Sequence, residues 1–188
     1  MLVELVLAMN RLLLISFLLI AGLSCKKLVS LVFPGKDVAM PAIKVDVPAI
    51  PVADSTKTFE AGNLTTYINV DSIIKANTNG AFGIGSVSSV KVKQVTVNVS
   101  NADADNNLSA FKSFRITVSS NSNSQVSDMV TVDIPAWATD SYTSTPASSA
   151  DITSYLGGSY IYNTIYGQVR KTTTKTLTVS IAILLRAN

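Results

Sequence analysis

The sequence predicts an all-β domain built as a small antiparallel sandwich. Three observations point there. From Thr58 onward, apolar and polar residues alternate at period two in runs of strand length. Clusters of Asn, Gly and Ser punctuate the runs, at Asn79-Gly80, Asn101 to Asn107, Ser119 to Ser124 and Gly157-Gly158. Hydrophobic residues make up 47% of the 188 and charged residues 14%, so the chain can bury a core and is not a disordered polyampholyte.

Val87 to Ser100 is the clearest early strand. Val90 and Val92 share one parity, whereas Val95, Val97 and Val99 share the other. A β-bulge at Lys93-Gln94 reconciles the two, because one extra residue restores the inward face. Phe114, Ile116 and Val118 mark a second strand, and Val130, Val132 and Ile134 a third that Pro135 stops. Tyr160 to Val169 is a weaker strand. Leu177, Val179, Ile181, Ile183 and Leu185 give the longest strict alternation. Two short helices are expected, Ser72 to Ala76 capped by Asp71, and Ile152 to Leu156 capped by Asp151 and closed by Gly157. Strands at this spacing predict an immunoglobulin-like sandwich.

The N-terminus carries an address. Leu12 to Ser24 is an apolar run of 13 residues behind Arg11. It matches the h-region of a signal peptide and is short for a spanning helix, which needs about 20 residues. Ala21-Gly22-Leu23-Ser24 then leads into Cys25, the only cysteine. This segment resembles a bacterial lipoprotein signal peptide ending in a lipobox, although Gly22 stands where Leu is preferred. The resemblance implies that residues 1–24 are removed and that Cys25 becomes a lipid-bearing first residue. It further implies a membrane partner through that lipid, and a place among uncharacterised outer-membrane lipoproteins. Met9-Asn10-Arg11 makes a more ordinary start than Met1 to Ala8. An uncleaved anchor helix over residues 1–24 is the alternative, with Glu4, Asn10 and Arg11 interrupting it.

Between leader and domain, residues 25–57 read as a tether. Pro34, Pro41, Pro48 and Pro51 favour extended backbone, and some 30 residues at about 3.1 Å each would hold a domain on the order of 90 Å from the bilayer. Within it, Ile43, Val45 and Val47 alternate with Lys44 and Asp46, so residues 43–47 are a possible first strand with Pro48 and Pro51 marking an edge. The sandwich itself is expected over 58–188.

The residues available for chemistry are few. There is no His, and a single Cys permits neither an intrachain disulfide nor a thiolate zinc cluster. Beyond the leader the only Glu is Glu60, and Asp128 and Asp133 have opposite parity on one strand. A non-catalytic protein without a cofactor is therefore expected. Asn101, Asp103, Asp105 and Asn107 place oxygen ligands at every second position, as calcium loops do, but Asn106 and Lys112 stand where such a loop needs Gly and a bidentate Glu. A plain polar turn also wants these residues. Trp137, Tyr160, Tyr162 and Tyr166 belong to an aromatic-rich stretch that either packs the core or stacks on a sugar or protein partner. The net charge of +3 is scattered without a nucleic-acid motif, so no nucleic-acid partner is expected.

These readings converge on a lipid-anchored, non-catalytic component of the bacterial outer membrane, binding or structural, with an envelope protein or glycan as partner. Two rivals remain. One is a fimbrial or surface assembly subunit that exchanges Leu177 to Leu185 or Ile43 to Val52 as a strand. The other is a carbohydrate-binding lipoprotein that uses the tyrosines.

Overall fold

The computed structural model describes residues 33–54 and 56–188. Among these residues nine strands form in chain order: β1 (Lys36–Ala39), β2 (Ile43–Val47), β3 (Thr58–Tyr67), β4 (Val90–Val99), β5 (Phe111–Ser120), β6 (Ser127–Asp133), β7 (Ser141–Ser144), β8 (Tyr160–Val169) and β9 (Leu177–Ala187). They make two antiparallel sheets packed face to face. The first runs β1-β9-β4-β7, with β2 also on β9, and the second runs β3-β8-β5-β6. The sandwich predicted from the alternation is present.

Its connectivity is more specific than the alternation could reveal. β1 and β2 occupy one strand position against β9, interrupted at Met40, Pro41 and Ala42. Counting them as one leaves eight strands in two four-stranded sheets, with successive strands mostly crossing between sheets. This is the order of a jelly roll. The sheet therefore begins at Lys36, and residues 43–47 are its edge strand, with Ile43, Val45 and Val47 turned inward. Prolines are tolerated there because an edge strand has no second partner waiting for its N–H groups.

The core is the slab between the sheets. Val90 and Val92 point inward before the bulge, and Val95, Val97 and Val99 after it; the register shift lies between Val92 and Gln94, where the sequence placed it. Phe111 and Phe114 meet at 4.9 Å in the second sheet, and Phe59 closes the slab 6.5 Å from Phe111. Phe59 lies over Gly167, its direct partner across β3 and β8, where a Cβ would fall 2.5 Å from the ring.

Among the described residues one α-helix forms, α1 (Val70–Asn77), which buries Val70 and Ile74. Its N-cap is Asn69, whose Oδ1 accepts from Ser72 N at 2.9 Å, and not Asp71. Asp71 sits in the first turn, where its carboxylate pairs with Lys75 and accepts from Ile84 N. The second expected helix is only a 3-10 turn, Thr153–Tyr155. Asp151 Oδ1 accepts from Thr153 N there, but it also takes Val90 N, and this tie to β4 replaces a longer helix. No helix among the described residues is long and apolar enough to cross a membrane.

The two ends of the sandwich differ. Phe33, α1, the 121–126 and 145–159 segments and Asn188 gather at the end where the chain enters. The 48–57, 100–110, 134–140 and 170–176 loops gather at the other.

Candidate functional site

The outer face of the second sheet carries the tyrosines. Residues directly paired across antiparallel strands share a face, so the register lays this surface out in rows. Tyr67 pairs with Tyr160; Thr65 with Tyr162 and then Ser119; Asn63 with Thr164, Thr117 and Asp128; Glu60 with Tyr166, Arg115 and Thr131. Tyr160, Tyr162 and Tyr166 share a parity of β8, while Ile161, Asn163 and Ile165 point into the core. Tyr160 is 47% exposed and Tyr162 43%, so these two rings are not core packing. Tyr166 is half-buried.

Neighbours fix the rings. Tyr67 and Tyr160 meet edge to face at 5.5 Å. Arg115 places its guanidinium carbon 4.4 Å over the Tyr166 ring and pairs with Asp128 at 2.6 Å. Asn63 Nδ2 donates to Glu60 Oε1 at 2.5 Å. Tyr67, 64% exposed, completes the face. Sequence reasoning did not single it out, although Asn63, Thr65 and Tyr67 share a parity that signals a polar outer face.

A bulge also changes the acids. The β5–β6 register shifts at Ile116/Thr117, so Asp128 pairs with Thr117 and Asp133 with Ser113 on the same outer face. Simple parity put them on opposite faces; the extra residue, Met129, turns inward and carries the strand through the half-step.

Trp137 is not part of this surface. It stands 74% exposed in the β6–β7 crossover, edge to face with Tyr142 of the first sheet at 5.8 Å. That end is stiffened by cross-loop bonds. Arg170 donates to the carbonyls of Ser109 and Ile134, and Thr174 N donates to Asn106 Oδ1 at 2.7 Å.

The oxygen-rich segment lies at the same end, and its donors are occupied locally. Asp103 accepts from Asp105 N, Asn106 N and Asn106 Nδ2, and pairs with Lys175 at 2.6 Å. Lys175, together with the Asn106 amides, holds the Asp103 carboxyl far below the usual carboxylate range. Asn101 bridges Thr176 O and Thr178 N, while Asn107 takes Ser109 and returns its amide to Asp103 O and Ala104 O. The side chains of Asn101, Asp103 and Asn107 are thus taken up in closing the turn, to which Asp105 contributes its backbone N–H. No group of three or more acidic or Cys residues suited to a metal occurs among the described residues. Cys25 lies outside the described residues.

A cleft of about 540 Å³ opens between the 48–57 loop and the start of β3, lined by Pro48, Ile50, Val52, Phe59, Glu60 and Val169 among others. Through Glu60 it adjoins the Tyr166 row.

No family model matches the chain, and no curated protein matches it. Solved structures offer distant likenesses. The crystal structure of FLHE aligns at 9% identity and TM-score 0.33, over 82% of this chain and 97% of that one. The family 32 CBM from C. perfringens NanJ, in complex with galactose, aligns at 9% and 0.36, over 79% and 99%. The infectious bursal disease virus Gt strain structure aligns at 6% and 0.38, over 82% of this chain and 32% of that one. Likenesses this remote leave the chain's function to its own residues.

Proposed function

We propose that the chain is a lipid-anchored, non-catalytic module of the bacterial outer membrane that binds its ligand on the outer face of the second sheet. The leader and Cys25 support the anchor. The binding reading rests on one observation above all: Tyr67, Tyr160 and Tyr162 stand exposed on adjacent strands of one sheet face, where a packing role would have buried them. Exposed rings on rigid strands are anchors with little freedom to lose on binding.

Of the two rivals, the carbohydrate reading gains. The strand-exchange reading loses ground, because β9 is paired on both sides, by β4 and by β1 with β2. The sheet edges are blunted as well: β7 has four residues, β3 is bulged at Glu60/Gly62, and Ala150 N reaches the β6 edge at Met129 O. With Phe33 already packed in the core against Phe82, the residues 26–32 between it and Cys25 limit the reach to about 25 Å at 3.3–3.6 Å per residue, well short of the tether expected from the prolines.

Mass spectrometry of the membrane fraction tests the anchor: the expected species begins at an acylated Cys25. A freely diffusible, unmodified chain overturns it. Retention of the full chain on isolated envelope polysaccharide tests the face, with loss expected for Tyr160→Ala/Tyr162→Ala and none for Trp137→Ala.

A further inference from the structure

The chemistry of this face narrows what can lie on it. We infer that its ligand is an uncharged, unbranched polysaccharide bound lengthwise along β8; this rests on the proposed binding face and names its ligand class.

Direction comes first. Tyr160, Tyr162, Thr164 and Tyr166 form one outward row along a single continuous strand. From Tyr160 to Tyr166 the row runs about 20 Å at roughly 3.4 Å per residue. A ligand touching both ends is extended, and a single ring would leave most of the row bare.

Polarity comes second. Between and beside the rings stand Thr65, Asn63, Ser119 and Thr131, while Thr117 is buried beneath them with its hydroxyl on Thr164 O. The surface alternates aromatic rings with hydroxyls and an amide, and has no continuous apolar centre of the kind that protein interfaces bury. A sugar chain has that alternation. Its C–H faces suit the rings, and its hydroxyls both donate and accept to Thr, Ser and Asn.

Charge comes third and excludes most. The chain as a whole is basic, with a net charge of +3. This face is not: Glu60, Asp128 and Asp133 stand against Arg115, and Lys112 lies beyond its end in the bulge before Ser113. Arg115 is already spent on Asp128 and on the Tyr166 ring. A polyanion would meet uncompensated carboxylates here, which disfavours nucleic acid and acidic polysaccharide alike. Glu60 holds Asn63 through one oxygen. Its second oxygen is a natural acceptor for sugar hydroxyls beside Tyr166.

The test is affinity electrophoresis of the detergent-solubilised full chain through gels containing hydroxyethylcellulose, glycol chitin, linear glucomannan, mixed-linkage β-glucan or, as the polyanion, heparin. Retardation by at least one of the four neutral polymers is expected, with none by heparin. Tyr160→Ala/Tyr162→Ala should weaken the retardation about tenfold or more, as loss of two stacking rings implies. Glu60→Gln should weaken it less, and Trp137→Ala should leave it unchanged. Retardation by no neutral polymer, or by heparin in preference, overturns the ligand class. If the double tyrosine variant still loses retention on the isolated envelope fraction in that case, the binding face stands and only the ligand class falls. If Trp137→Ala abolishes retardation while the tyrosine variant does not, the face itself is wrong.

Discussion

Asn163 offers the sharpest test of how this sandwich is held together. It lies on β8, 1% exposed, with its side chain turned into the slab between Tyr162 and Thr164, which face outward. Both atoms of its amide are buried without a hydrogen-bond partner, as is the hydroxyl of Thr66 on the neighbouring strand. An unpaired buried amide costs about 1–3 kcal/mol. Leucine has the same branched heavy-atom skeleton, so Asn163→Leu removes the polar atoms and keeps the shape. The expected gain is about 2 kcal/mol. With a urea slope near 2 kcal/mol/M, the unfolding midpoint should rise by about 1 M. Thr66→Val should give a smaller gain, about 1 kcal/mol, and the pair need not add because the sites adjoin. Urea titration followed by intrinsic fluorescence reads both. The tyrosine row points the other way, so polysaccharide retardation should not change. A midpoint that falls by 0.5 M or more refutes the reasoning, since it would mean the amide is satisfied in the folded protein, by a bound water for example.

Gly167→Val should destabilise by about 1–3 kcal/mol in the same assay, because the new side chain meets the Phe59 ring; an unchanged midpoint would show that Phe59 swings aside freely. The carboxyl of Asp37 is held below its ordinary 3.8, first by Lys93 and then by Arg186. Its contribution is therefore full above pH 3.8 and is lost as pH falls below it, so the protection of the β1 amides relative to their intrinsic exchange rate should fall on acidification below about pH 4, and Asp37→Asn should remove that dependence. Millimolar calcium should leave the melting temperature unchanged, because Asn101 is engaged with Thr176 and Thr178, Asp103 with Asn106 and Lys175, and Asn107 with Ser109; a rise would reveal ligands that rearrange.

Much of this architecture could be read from residues alone, for a definite reason. Alternation reports which face a side chain occupies, so the inward valines of β4, the long β9 and even the bulge at Lys93 followed from parity. Parity cannot report which strand lies beside which. The jelly-roll order, the central place of β9 and the pairing of Tyr67 with Tyr160 come from contacts among segments far apart in sequence. Bulges that no run of valines announces, at Ala61 and Met129, were equally hidden. The proline-rich stretch left two readings open, a tether and an edge strand over 43–47, because extended backbone is common to both, and only the partner, β9, distinguishes them.

By itself, then, the sequence determined that the chain is a lightly charged β-sandwich, and that three tyrosines of β8 share a side. Which side faces water was a tertiary decision. The second sheet turns Ile161, Asn163 and Ile165 toward the first sheet, because burying the two isoleucines returns more free energy than burying rings that each carry a hydroxyl. The tyrosines are left outside, in a row, where they can meet a ligand.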